Sequence, residues 1–404
     1  MRKVLIFSLL LMAGLVASQV LPGLMGGGLG AYKLVVQLAT MVMLGFIMIH
    51  VGYEFDIDRR NMGQYGVDAA VASSAASLPW LFCAVYFIIM LGGPGAGREF
   101  DAWKEALVAG CFAAPTSAGV LFSMLAAAGL GATWLFRKAR VLAIFDDLFT
   151  VLLLIPLKAM VVGPKWQLGV ILLVIVALLW LAWKKLHSVR WPITWGYTLV
   201  YSVLIVAASE AIYFASKKLD PSGSIHIEVL LPAFVLGCII ARQERHGHDV
   251  LHDPGEQRVG TIVSAFFMVL VGLSMPLVIG AAKGGDDGEL PPGYFATHSP
   301  TMGWGEVALH VLAVTVISNL GKMLPAFCYR SEAGTRERLA LAVGMWPRGE
   351  VGAGVLVIAL SFGITGPILT VAMLSLALNL VLTGGFIVLV KRLLGPVQAV
   401  PSGH

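Results

Sequence analysis

The sequence predicts an all-α polytopic membrane protein built from inverted repeats, with two crossing discontinuous helices, the fourth and the eleventh of about twelve spans. Three observations predict it. Of 404 residues, 58% are hydrophobic and only 13% charged, and the mean hydropathy is +0.85, far from the composition of a soluble domain. The apolar residues fall into runs long enough to cross roughly 30 Å of hydrocarbon as helices. Two of those runs are interrupted near their centres by proline, glycine and polar residues. No polar stretch is long enough for a soluble domain, so the expected organisation is a single membrane unit over 1–404.

In order, the segments are Val4 to Pro22, Leu34 to Gly52, Ala69 to Leu91, Ala102 to Leu130, Val141 to Val162 and Gln167 to Trp183. Ile193 to Ala215, Ile227 to Ala241, Val259 to Gly280, Trp304 to Phe327, Leu339 to Gly363 and Pro367 to Val390 follow. Of the 28 Lys and Arg, Lys158, Lys322 and Arg348 lie inside segments, and Lys104 sits at the edge of the fourth. Alternating sides along the chain gathers Arg2, Lys3, Arg59, Arg60, Arg137, Lys138, Arg140, Lys184, Lys185, Arg190, Arg242, Arg245, Arg258, Arg330, Arg336, Arg338, Lys391 and Arg392 on one face. Lys33, Arg98, Lys104, Lys165, Lys217, Lys218 and Lys283 fall on the opposite face. By the positive-inside rule both termini are cytoplasmic, in the cell (inner) membrane of a multi-pass protein. The first segment also resembles a secretory signal, with Val16-Ala17-Ser18 near a cleavage position; the expectation is a retained helix.

The net charge of +5 is explained by loop placement, and no nucleic-acid partner is expected; the partner is membrane lipid. Cys83, Cys111, Cys238 and Cys328 show no CxxC spacing and no Cys/His cluster, so they read as packing residues. No cofactor is called for. His246, His248 and His252 crowd one hydrophilic loop, Arg242 to Arg258, and read as solvated rather than as a pH sensor. Glu54, Glu210 and Glu306 lie near segment ends and read as interfacial, and Lys158 as snorkelling outward.

The interruptions are Ala113-Ala114-Pro115-Thr116-Ser117-Ala118-Gly119 and Trp346-Pro347-Arg348-Gly349-Glu350-Val351-Gly352. Proline removes a backbone donor and glycine weakens helix propagation, so each predicts free amides and carbonyls at membrane depth. Segments three to five and ten to twelve form two three-helix units of opposite orientation, each with a broken middle helix. That is the signature of an inverted-repeat transporter with its site at the crossing. Asp147 follows Pro115 by the same 32 residues by which Asn379 follows Pro347, and Lys322 precedes Pro347 by the same 25 by which Met90 precedes Pro115. One repeat therefore carries the acids and the other the lysine.

Asp146 and Asp147 are adjacent in the fifth segment. An acid at the centre of a membrane helix costs roughly 2.5–3.5 kcal/mol on insertion scales, which marks the pair as functional. Lys322 and Asp146 each lie five residues from the cytoplasmic edge of their segments, about 8 Å deep at 1.5 Å per residue, which predicts an ion pair. Consecutive helix residues point about 100° apart, so Asp147 is left facing the ion path, a division that side-by-side placement alone does not force. A hard alkali cation wants oxygen, and Asp147 with Thr116 or Ser117 hydroxyls, freed carbonyls and water supplies it. Burial disfavours the charged form of acid and lysine alike, making both groups able to exchange protons. Arg348 and Glu350 are expected to complement the facing half-helix ends beside Pro115 and Pro347, and Asn319 and Asn379 are secondary candidates.

With the aspartate pair in a fifth helix, Pro-Thr-Ser in a fourth, Lys322 in a tenth and Met345-Trp346-Pro347-Arg348-Gly349-Glu350 in an eleventh, the chain resembles the cation/proton antiporter superfamily. Within it the chain resembles the electrogenic bacterial sodium/proton antiporters of the Asp-Asp type. The resemblance implies a homodimer and elevator-type exchange of Na⁺ or Li⁺ for H⁺, with the cation at Asp147 and Asp146 as the partner of Lys322. It implies a core from 69–162 and 304–392 moving against a dimerisation scaffold from 1–56 and 167–280. Electroneutral relatives carry Asn-Asp and potassium-efflux relatives Gln-Asp at the pair. The latter also carry a nucleotide-binding regulatory domain, and after Arg392 only LLGPVQAVPSGH remains, so none is expected. A K⁺/H⁺ antiporter is the alternative, followed by a non-transporting sensor or channel on the same fold. An enzyme is not expected: Asp146-Asp147 lacks both the second acid of an intramembrane protease and the spaced acids of a prenyltransferase.

Overall fold

The computed structural model describes residues 2–25, 29–55, 62–93, 95–163, 166–219, 229–245, 248–249, 253–275, 302–361, 364 and 366–395. The helices are α1 (Arg2–Met25), α2 (Leu29–Tyr53), α3 (Met62–Met90), α4 (Phe100–Gly110), α5 (Ala118–Ala127), α6 (Trp134–Val162) and α7 (Trp166–Lys184). They continue as α8 (Trp195–Leu219), α9 (Leu230–Ile239), α10 (Pro254–Leu273), α11 (Trp304–Gly321), α12 (Thr335–Gly344), α13 (Glu350–Ser361) and α14 (Pro367–Leu394). The strand content of the described residues is one two-residue ladder, Glu244–Arg245 against His248–Asp249. His246 and His252 lie outside the described residues.

Nine spans among the described residues are long and apolar enough to cross a membrane, with α4 and α5 counted together. Three further units complete the predicted set. One is α6, whose apolar stretch carries Asp146 and Asp147. The others are the short α9 and the α12–α13 pair, which together form one interrupted span. The fourth and eleventh segments are thus broken as predicted.

Segment edges differ from the apolar reading where capping decides them. The fifth helix begins at Trp134, seven residues before Val141, because Thr133 Oγ1 accepts the Phe136 N–H at 3.2 Å, satisfying a donor that a helix start otherwise leaves orphaned. The tenth ends at Gly321 rather than Phe327: Pro325 cannot continue it, and a 3-10 turn over Leu324–Ala326 takes its place. Lys322 is therefore the C-cap of α11 rather than an interior residue.

Packing falls into two groups. α3 lies on α4, α6 and α11, and α14 on α11, α12 and α13; α1 packs on α10, and α2 on α8, α9 and α10, with α7 on α9. Small residues make the closest crossings of the second group. A Cβ on Gly237 would come within 2.2 Å of Ile49 O, and one on Gly52 within 2.1 Å of Phe234 O, so α2 and α9 meet backbone to backbone. The same holds for Gly14 and Gly272 between α1 and α10. Contacts from α1, α2 and α10 to α5, and from α1 to α14, cross between the groups.

Gly237→Val is expected to force α2 from α9 and lower the melting midpoint in detergent, an overpacking cost of about 1–3 kcal/mol. Gly169→Val in α7, where the added Cβ meets nothing within 4 Å, leaves the melting curve unchanged.

Candidate functional site

The two breaks meet. After α4, a 3-10 turn over Cys111–Ala113 leads into a non-helical stretch, and Ser117 caps α5, its Oγ accepting the Val120 N–H at 3.4 Å. Between α12 and α13 the chain runs unwound from Met345 to Gly349. Ser117 N–H donates to Pro347 O at 2.9 Å and Thr116 Oγ1 donates to Met345 O at 3.0 Å. Gly349 permits the approach, since a Cβ there would lie 2.7 Å from Ser117 Oγ.

Unwinding at membrane depth leaves carbonyls and amides to be satisfied by protein, and two cations and an acid do so. Lys322 Nζ donates to Ala114 O at 2.6 Å, Thr116 Oγ1 at 2.8 Å and Asp146 Oδ2 at 2.7 Å, so all three ammonium protons are used. Arg348 Nη1 donates to Ala113 O at 2.5 Å and Pro115 O at 3.3 Å, and Nη2 to Ser318 O at 2.9 Å. Thr116 N–H donates to Asp146 Oδ2 at 2.7 Å. Cations thus sit at the carbonyl end of α4 and the acid at the amide end of α5, as the helix-end partial charges favour. Lys322, Asp146 and Arg348 are each 0% exposed. Asp146 Oδ1 has no hydrogen-bond partner among the described residues.

Asp147 points elsewhere. It is 5% exposed and lines a cavity of about 50 Å³ whose other walls are apolar: Ile144, Leu148 and Val151 of α6, Ile171, Val174, Ile175 and Leu178 of α7, Leu230 and Leu231 of α9, and Val351 of α13. Thr116 lies on the Asp146 side, its N–H donating to Asp146 Oδ2 and its hydroxyl engaged with Lys322 and Met345, because the turn of α6 sends consecutive side chains to different neighbours. The Glu350 and Lys158 side chains lie outside the described residues. Asn319 and Asn379 do meet, Asn379 Nδ2 donating to Asn319 Oδ1 at 2.9 Å.

Other charged residues near the site were not legible as such. Glu54, read as interfacial, accepts from Arg140 Nη2 at 2.7 Å, joining α2 to α6. It borders a second cavity, of about 380 Å³, between α1, α2, α5, α6 and α10, with Lys3, His50, Glu256 and Thr261 on its walls. Lys138 bonds Asp68 and Glu332, both at 3.0 Å, and lies over the Tyr329 ring, tying α3 and α6 to the α11–α12 connection. The four cysteines are free, three of them buried. Among the described residues no His, Cys, Asp and Glu group has the arrangement of a metal centre.

Opposed repeats, two broken helices in contact and buried charges between them define a membrane transporter of the discontinuous-helix class. Residues 3–393 match the family model for sodium/hydrogen exchanger, transmembrane, and the chain belongs to that family. Its fold resembles two solved structures of the sodium proton antiporter MjNhaP1 from Methanocaldococcus jannaschii. One, at pH 8, has a TM-score of 0.56 at 16% identity over 94% of this chain and 91% of the other. The second, from electron microscopy, has a TM-score of 0.57 at 15% identity over 97% and 92%. No curated protein matches the chain in sequence.

Lys322→Met leaves Asp146 buried without its cation and is expected to destabilise the protein by about 3–5 kcal/mol. Adding Asp146→Asn removes the stranded charge and recovers most of that loss, which thermal melts of the native protein and the two variants would measure.

Proposed function

We propose that the protein is a secondary active transporter exchanging Na⁺, or Li⁺, for H⁺, electrogenically and by elevator-type alternating access. The observation that carries this reading is the fully buried Lys322/Asp146 pair at the contact of two broken helices, with Asp147 beside it on a separate cavity. Asp147 is the group at which cation and proton compete. Competition for one carboxylate couples the two fluxes without a separate gate.

The ion pair supplies the second charge change. When Lys322 releases Asp146 it also releases Thr116 Oγ1, its other side-chain acceptor. Asp146, Asp147 and that hydroxyl then become available together as hard oxygen ligands, with carbonyls of the break and water completing the shell. The ammonium left behind in a low-dielectric site can give up a proton. In this reading Pro115 and Pro347 keep the helices broken, Ser117 and Arg348 hold the breaks in contact, and Glu350 supports the second.

The moving core is taken as α3–α6 with α11–α14, corresponding to 69–162 and 304–392, and the scaffold as α1, α2 and α7–α10, corresponding to 1–56 and 167–280. The Asp147 cavity is walled by α6 and α13 of the first and α7 and α9 of the second, and such a boundary is where a sliding core would expose its ion site. The 380 Å³ cavity spans the same boundary on the face where α1 starts and α2 ends. With both termini in the cytoplasm of a cell whose inner membrane holds a homodimer, that cavity is the cytoplasmic approach.

In proteoliposomes with an imposed pH gradient, Na⁺ or Li⁺ is expected to dissipate the gradient in the native protein. Asp147→Ala removes the response, and Asp147→Asn does the same by losing the carboxylate charge. A native protein inert to Na⁺, Li⁺ and K⁺ would refute exchange, and normal activity in Asp147→Asn would refute the site.

A further inference from the structure

Lys322 owes its place to the last turn of α11, and that turn is held from three directions. Gly321 lies so close to α3 that a Cβ on it would come within 2.6 Å of Pro79 Cα. Arg348 Nη2 donates to Ser318 O at 2.9 Å. The third hold joins side chains: Asn379 of α14 donates to Asn319 Oδ1 at 2.9 Å, and the Asn319 carbonyl in turn accepts the Lys322 N–H at 3.1 Å.

A pair of buried carboxamides is an expensive way to hold two helices together. Asn319 and Asn379 are 6% and 1% exposed. Asn379 Oδ1 has no hydrogen-bond partner among the described residues, and neither has Thr315 Oγ1, one turn before Asn319 on α11. Two apolar side chains of similar size would pack there with no acceptor stranded. What the amide pair adds is direction, because an N–H···O bond weakens steeply when misaligned and so fixes both the rise and the rotation of α11 against α14. A slip of one residue, about 1.5 Å along the axis with a turn of about 100°, would take Lys322 Nζ away from Ala114, Thr116 and Asp146 together. The pair also sits where the second repeat carries its counterpart of Asp147, in register from Pro347, so the acid's position in one repeat holds a neutral amide in the other.

We propose that Asn379, acting through Asn319, is a positioning residue for the Lys322 ammonium. It sets the distance from Lys322 to Asp146 and thereby the cation affinity and pH range of exchange. The transport part of this statement rests on the exchange reading above; the placement of Lys322 is measurable without transport.

The test uses Asn379→Leu, Asn319→Leu, their double variant and Thr383→Val, with two readouts. The Thr383 hydroxyl donates to the Asn379 carbonyl at 3.0 Å, so its loss perturbs the same helix and leaves the side-chain pair in place. The first readout is the rate at which acetic anhydride acetylates Lys322 in the purified full chain, followed by peptide mass spectrometry. The second is the KM for Na⁺ in proteoliposomes over a series of pH values. Each Asn variant is expected to label about tenfold faster than the native protein, a factor equivalent to about 1.4 kcal/mol. Its KM rises and its pH profile moves, while Thr383→Val matches the native protein on both readouts. The double variant is no worse than either single, because the two amides act as one unit.

Unchanged labelling, KM and pH profile in the Asn variants would overturn the proposal. So would a Thr383→Val variant that behaves as Asn379→Leu does, since general loosening would then account for the effect. Should Asn379→Leu fail to fold, Asn379→Ala, which leaves space rather than bulk, is read against the same expectations. Faster labelling in the Asn variants of a protein whose native form exchanges no cation would support the placement of Lys322 and refute exchange.

Discussion

A buried ammonium must find three acceptors in a place where lipid offers none, and Lys322 finds them at the crossing of the broken helices. Two of the three, Ala114 O and Thr116 Oγ1, belong to the first break, and the third is Asp146 Oδ2 on α6. In an uninterrupted helix the Ala114 carbonyl would accept from the backbone four residues on. The break therefore makes the lysine's site, and the lysine satisfies the break. Arg348 repeats the arrangement with Ala113 and Pro115. Both cations come from the second repeat and reach carbonyls of the first, Arg348 also holding Ser318 O of its own repeat.

That arrangement gives the two aspartates different surroundings. Asp146 is bound into the crossing through one oxygen, Oδ2, which takes both the Lys322 and the Thr116 donors. Asp147, one residue on, borders an apolar cavity shared with α7 and α9. Its other walls are isoleucine, leucine and valine, whereas Asp146 carries the Lys322 ammonium. In this account exchange at Asp147 is tied to Asp146 because the hydroxyl that a cation needs is held by Lys322 until the pair opens.

The spans, both breaks and the Asp146/Lys322 pair were legible in the sequence because each leaves a local mark: apolar length, proline with glycine, and charge inside an apolar run. Ends decided by capping were displaced, as at Trp134 and Gly321, since a cap adds polar residues to a helix and a proline turn removes apolar ones from it. The Thr116 and Ser117 hydroxyls were placed in the correct break, but the contacts of Thr116 with Asp146 and Lys322 were not legible, because they depend on how α6 is rotated about its axis. Glu54 with Arg140, and Lys138 with Asp68 and Glu332, were not legible at all. Their partners come from helices distant in the chain, and each charge near a segment end looks like any other interfacial charge.

In the proposed exchange the Lys322/Asp146 pair adds a proton to the one displaced at Asp147, so that each cycle moves net charge. Solid-supported membrane currents, recorded with the cation flux on the same proteoliposomes, measure charge moved per cation directly. A Na⁺-driven current is expected in the native protein. Any cation/proton exchange retained by the double variant Asp146→Asn, Lys322→Met is expected to run without net current. Native exchange with no current, or a double variant that moves the same charge per cation as the native protein, would contradict the proposal.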